Sequence, residues 1–185
     1  AALEALRRAR RLPSVRIIAA DMALPPLLAA GVVPDFVISC ETAPVAFYDA
    51  TVPDTVHLLA FSGIRPAVVR SWPGPVSFYN WMVRGVYEQL WALAGTQLGY
   101  LATGSTVLSQ ALSLARGCGV ASIATFGNDM GYRRAYYTRF APGNAACRLM
   151  ANRFTPFESA DMNRMRRART HVLARDGREY ATHHQ

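Results

Sequence analysis

Lysine is absent from this chain: all 20 basic residues are arginine. Together with abundant alanine, that bias fits a genome rich in G and C. The three cysteines, Cys40, Cys118 and Cys147, are odd in number and show no CxxC spacing; Cys40 and Cys118 end or border predicted buried elements, so packing as small hydrophobes is their expected role. No apolar run approaches the length of a membrane span, and no signal peptide is visible. A reducing, cytoplasmic setting is therefore expected. Charged residues make up only 17% of the chain and hydrophobic ones 51%, which excludes a disordered protein. No His/Cys/Asp spacing resembles a zinc site, and no Ser-His-Asp arrangement is legible. Repeats, low-complexity tracts and dividing linkers are also missing. The 185 residues then suggest one sizeable domain with a single core. The net charge of +8 fits an anionic ligand. The arginines cluster near the termini (Arg7, Arg8, Arg10, Arg11; Arg164, Arg166, Arg167, Arg169) without a recognised nucleic-acid module, so nucleic acid is not an expected partner.

Among the features present, Thr103-Gly104-Ser105-Thr106 is the most informative, because a helical run begins directly after it at Val107. The first N–H groups of a helix lack internal partners, the dipole is positive there, and glycine lets a phosphate approach the backbone. The same residues also make an ordinary helix cap. About twenty residues later an apolar stretch at 121–126 reads as a strand emptying into Gly127-Asn128-Asp129-Met130-Gly131-Tyr132. Polar groups at the carboxyl end of a buried strand are where open α/β sheets bind ligands. A nucleotide or sugar phosphate is the expected ligand.

Short apolar strands are expected at 15–20, 35–40, 55–61 and 121–126, with a further candidate between the last two at 76–79. Helices fall between them: an amphipathic one carrying Leu3, Leu6 and Leu12, one over 24–30 opened by Pro25-Pro26 and closed by Gly31, a short one near Pro66, and one from Val107 to about Arg116. This alternation predicts an α/β fold, a mainly parallel, doubly wound (Rossmann-like) sheet with helices on both faces. The stretch 81–100 is rich in aromatics and reads as a loop and helix over the sheet. Beyond Tyr132 the chain is irregular, then a basic helix at 160–169 precedes a hairpin turning at Asp176-Gly177.

Asp21, Glu41 and Asp129 each follow a predicted strand, so a parallel sheet gathers them at one rim. Carboxylates there can bind Mg²⁺ beside a diphosphate or accept hydrogen bonds from ribose hydroxyls. Asp21 can equally cap a helix. Gly127 and Gly131 keep the loop around Asn128 and Asp129 open. Ser105 and Thr106 can offer hydroxyls to phosphate or cap the helix, and Tyr132 can stack on a base, bond a sugar or pack. His57 lies inside an apolar strand and reads as a core residue. His171, nearer the rim, is a candidate general acid or base. His183 and His184 have no expected role.

These residues resemble a family. Ile17-Ile18-Ala19-Ala20-Asp21 followed by Leu27 to Ser39 is similar to the core of the 6-hydroxymethylpterin diphosphokinase MptE-like domain, which also occurs in the bacterial motility accessory factors that glycosylate flagellin. Thr103-Gly104-Ser105-Thr106-Val107 resembles that family's TGGSV turn, Gly127 to Tyr132 its GQDLAY segment, and Asp176-Gly177 with Thr182 its terminal DG…T piece. Three departures stand out. The family's opening strand and GxGPSL turn have no counterpart, so the chain is expected to be part of a longer protein. Glu41 replaces an aspartate, and Asn128 replaces a glutamine. The resemblance implies a single Rossmann-like nucleotide-binding domain over 1–185 and a transferase activity. One version transfers a nonulosonic acid from a CMP-activated donor to a flagellin-type hydroxyl; another is ATP-dependent diphosphate transfer to a hydroxymethyl pterin; a third is a non-catalytic scaffold. Implied catalytic residues are Asp129 and His171. Implied phosphate- and nucleotide-binding residues are Asp21, Glu41, Thr103, Gly104, Ser105, Thr106, Gly127, Asn128 and Tyr132. Mg²⁺, if the reaction needs it, falls to Glu41 and Asp129. The implied partners are the nucleotide or nucleotide-sugar and a flagellin-like acceptor protein.

Overall fold

The computed structural model describes residues 2–42, 51–82, 99–102, 106–128, 131–132, 152–154, 170–173 and 177–182. They fall into two compact units, 1–126 and 127–185.

In the first unit, five parallel strands lie side by side in chain order: β1 (Ile18–Ala20), β2 (Phe36–Ser39), β3 (His57–Phe61), β4 (Val76–Met82) and β5 (Tyr100–Ala102). The registers pair Ala19 with Val37, Val37 with Leu58, and Leu58 with Val76. Side chains alternate across a strand, so each strand supplies two faces. One face presents Ala19, Val37, Leu58 and Ala60 to Leu24 and Leu27 of α2 (Leu24–Ala29) and to Val68 of α3 (Pro66–Ser71). The other presents Ile38, Leu59, Phe61, Tyr79, Trp81 and Leu101 to α4 (Val107–Gly117). Helices thus cover both faces of a parallel sheet, the α/β Rossmann-like architecture expected from the alternation of elements. Helix α4 reaches β1 and β2 as well as β5.

Local chemistry sets the element ends. Gly31, at φ +72°, terminates α2 in the left-handed conformation that glycine adopts without a Cβ clash. The α2 carbonyl left open at Ala30 accepts from Nε and Nη2 of Arg7 at 3.1 and 2.8 Å, and Arg7 lies on α1 (Ala2–Ala9). Entry into β4 depends on Gly74: a Cβ there would lie 2.6 Å from the Asp54 carbonyl oxygen and closer still to that of Val56. Gly74→Ala is therefore expected to cost about 1–3 kcal/mol in urea unfolding, since the obstacles are backbone atoms that cannot swing aside.

Three expectations need correction. The stretch 121–126 forms no strand: Ile123 and Phe126 are 43% and 44% exposed. A strand needs a ladder as well as apolar side chains, and the place beside β3 belongs to β4, followed by β5. Only the edges of the aromatic stretch expected as loop and helix are strand, with Trp81 and Met82 ending β4 and Tyr100 opening β5; 83–98, where the helix was expected, lies outside the described residues. Cys118 is exposed at the carboxyl end of α4, not packed in a core, because the helix stops at Gly117.

The second unit contributes a three-stranded antiparallel sheet in the order β6 (Gly131–Tyr132), β8 (Glu179–Thr182), β7 (Thr170–Leu173). The β7–β8 pairing realises the expected hairpin, with Gly177 at φ +72°. The expected basic helix at 160–169 lies outside the described residues.

Candidate functional site

β1 and β2 end side by side in polar residues, and their hydrogen bonds form a chain. The Glu41 N–H donates to Ser39 Oγ at 3.3 Å, and the Ser39 hydroxyl donates to Asp21 Oδ2 at 2.7 Å. The other oxygen of that carboxylate, Oδ1, accepts the Met22 N–H at 2.8 Å. Asp21 and Glu41, both singled out from sequence, are thus brought together through Ser39, which sequence reasoning missed. Asp21 does not cap α2, whose N-cap residue is Ala23; it heads the single 3-10 turn Asp21–Ala23 leading into that helix.

Asp21 is 6% exposed. Loss of water pushes its carboxyl above the ordinary aspartate range, the bonds from Ser39 and Met22 pull it back, and the Glu41 charge pushes it further up. The neighbouring Cys40 thiol is also raised, first by burial and then by the charge of Asp21, with a bond from Gln110 opposing. A reactive thiolate is disfavoured there.

Beneath this rim lies a second set of buried polar groups. The Tyr79 hydroxyl donates to Gln110 Oε1 and sits 3.4 Å from the Ser39 carbonyl oxygen. Burial raises the phenol above its usual range, keeping it a neutral donor. Gln110 is 2% exposed although it lies on a helix, and this bond explains why a polar side chain occupies the buried face of α4. On the opposite sheet face the Ser62 hydroxyl donates to Asn80 Oδ1. Trp81 stacks on Phe61 with centroids 4.1 Å apart, an aromatic wall near the carboxyl ends of β3 and β4.

Thr106 is the N-cap of α4: its hydroxyl oxygen accepts the Ser109 N–H at 3.4 Å, and its carbonyl accepts the Ser109 hydroxyl at 2.6 Å. Thr103, Gly104 and Ser105 lie outside the described residues, as does Asp129. Gly127, at φ +70°, and Asn128 are both exposed. In the second unit, Tyr132 of β6 and His171 of β7 occupy one register row, each opposite Ala181 of β8. His57, expected in the core, is instead half-buried at the first position of β3, with Nε2 2.9 Å from Ser77 Oγ.

What can this arrangement hold? Both oxygens of Asp21 are committed to protein donors, so it suits orienting the rim or accepting from a ligand hydroxyl better than ligating a cation. Among the described residues no three His, Cys, Asp or Glu side chains converge as a metal site. Among the described residues, no helix is long and apolar enough to cross a membrane.

Comparison with curated proteins and with solved structures finds no match. The sequence profile of the family described as 6-hydroxymethylpterin diphosphokinase MptE-like matches residues 2–135, which include every β-strand of the first unit, the carboxyl rim and Asp129. The parallel sheet, the polar carboxyl edge and that match agree: the chain belongs to the MptE-like family.

Proposed function

We propose that the chain is the nucleotide-binding part of a transferase that moves a nonulosonic acid, of the pseudaminic or legionaminic type, from its CMP-activated form to a protein hydroxyl such as that of flagellin. The observation that carries the reading is the Asp21–Ser39–Glu41 chain of hydrogen bonds at the carboxyl edge of a parallel sheet. That edge is where nucleotides bind in such folds, and fixed acceptors there suit ribose or sugar hydroxyls. In the transfer, the acceptor oxygen forms a bond to the anomeric carbon as the bond from that carbon to the CMP phosphate oxygen breaks. The acceptor proton passes to a base, and the phosphate keeps the electron pair. The Thr103–Thr106 turn is assigned to the phosphate, Asn128 and Tyr132 to the cytosine or sugar, and Asp129 and His171 to handling the proton.

The family's description favours a second reading, diphosphate transfer from ATP to a hydroxymethyl pterin, with Mg²⁺ on Glu41 and Asp129 offsetting phosphate charge. Titration with CMP, CTP, ATP and a pterin, with and without Mg²⁺, separates the two. Preference for cytidine nucleotides without metal supports the first reading, and metal-dependent ATP binding together with pterin supports the second. Binding of none of them overturns both and leaves a scaffold domain. Within either reading, Asp129→Asn is expected to lower activity, or ligand affinity where activity cannot be assayed, at least about tenfold, or 1.4 kcal/mol, with an unchanged melting temperature. A lower melting temperature with unchanged affinity per folded molecule would place Asp129 in a structural ion pair instead.

A further inference from the structure

The amino ends of the strands carry a feature that the proposed transfer does not use. Arg16 precedes β1, Phe36 opens β2 and His57 opens β3; with Arg10, Asp35 and Thr55 they line an open cleft of about 250 Å³. The cleft and the carboxyl rim are separated by the length of the strands, roughly 10 Å or more at about 3.3 Å per residue.

The charges in this cleft do not cancel. Asp35 is fully used: Oδ1 accepts from Arg10 Nη1 at 3.2 Å, and Oδ2 accepts the Ile17 N–H at 2.8 Å. Arg10 is thereby paired. Arg16 has no carboxylate partner among the described residues. Its Nη1 donates to the carbonyls of Pro13 at 2.8 Å and Val15 at 3.1 Å. Those neutral acceptors fix the direction of the guanidinium without neutralising it. Its Nε and Nη2 edge, the two-pronged side that matches an oxyanion, donates to nothing among the described residues. Holding the group in place beforehand lowers the ordering cost of binding. The wall is equally fixed: the His57 ring is tethered to Ser77 and lies 5.6 Å from that of Phe36. Thr55 adds a hydroxyl.

We infer that this cleft is a second ligand site, at the opposite end of the sheet from the rim, and that it takes the phosphoryl group of a small phosphate monoester on the open edge of Arg16. The ring pair of Phe36 and His57 provides a surface for the organic part of such a ligand.

The test uses inorganic phosphate as the probe, at constant pH and with ionic strength balanced by chloride, read from the His57 ring resonances. A saturable shift is expected. Arg16→Gln should weaken the apparent affinity at least about tenfold, and Arg16→Lys should weaken it less, since charge is kept while the fork is lost. Ser39→Ala, at the rim, and Arg8→Gln, whose arginine pairs with Glu4 on α1, should leave it unchanged. A shift that does not saturate, or equal losses in Arg16→Gln and Arg8→Gln, would mean general charge attraction and overturn the site. Acetate binding as well as phosphate would overturn the phosphoryl assignment. If Arg16→Gln melts lower than wild type, Arg16→Lys decides: an affinity equal to wild type removes the fork from the argument. Because the cleft and the rim are probed separately, failure here leaves the nucleotide reading untouched, and the reverse also holds.

Discussion

Leu58→Ala is expected to lower the unfolding free energy by about 2–5 kcal/mol, measured by urea denaturation with an unchanged slope. Leu58 is fully buried at the second position of β3, in register with Val37 on one side and Val76 on the other. It packs in the cluster that contains Leu24, Leu27, Val68 and Trp72. Truncation removes its transfer free energy and leaves a cavity that these neighbours, held by strands and helices, fill only in part. Ile123→Ala is the matched comparison, an apolar residue in a sequence just as strand-like. Being 43% exposed and outside the sheet, it should cost less than about 0.5 kcal/mol. Comparable losses at the two positions would mean that 121–126 is seated in a core after all.

That pair also marks what the amino-acid sequence can reveal. The first three strands were legible because a run buried on both faces is apolar at consecutive positions and ends abruptly in a polar residue, as at Asp21, Glu41 and Ser62. The stretch 121–126 follows the same grammar and forms no ladder, because local pattern reports the capacity for a strand and not the presence of a partner. The converse case is β5: three residues are too few to show a period, and their pairing with Asn80, Trp81 and Met82 is what makes them a strand. The site divides in the same way. Asp21 and Glu41 were visible as acids just past strand ends. Ser39 was not, because a serine closing a strand looks like any small polar residue until its hydroxyl is found between two elements distant in the chain. One signal was available, a hydroxyl residue two positions before an acid at a carboxyl end. Gln110 gave none, since a glutamine in mid-helix normally faces water; only the tyrosine on a facing strand explains it.

Asp21 and Ser39 together should separate rim function from stability. The folded-state pKa of Asp21 lies above its unfolded value, ordinarily about 3.9. Below that value both states hold the proton, and the group has no effect on folding. As pH rises from there through the folded pKa, the unfolded chain loses its proton first and binds fewer protons than the native state. Stability therefore falls across that window and levels off above it. Asp21→Asn removes the fall: the variant should match wild type in strong acid and melt higher at neutral pH. Asparagine keeps an acceptor for the Met22 N–H and can donate to Ser39 Oγ, so the local geometry survives. Ser39→Ala should act in the opposite direction. It strips a donor from a buried carboxylate, at a cost of about 1.5–3 kcal/mol when the carboxylate is ionised, and should raise the Asp21 pKa further. Its penalty should accordingly be larger at neutral pH than in acid, and most of the pH-dependent part should vanish in the Asp21→Asn background. Equal penalties in both backgrounds would show that the Ser39 hydroxyl stabilises something other than this carboxylate. If the rim binds the nucleotide, the more stable Asp21→Asn protein should still bind it at least about tenfold more weakly, because a buried charge retained at a cost in stability is expected where function requires it. Higher stability with unchanged affinity would take Asp21 out of the ligand site and leave it a structural residue at the end of β1.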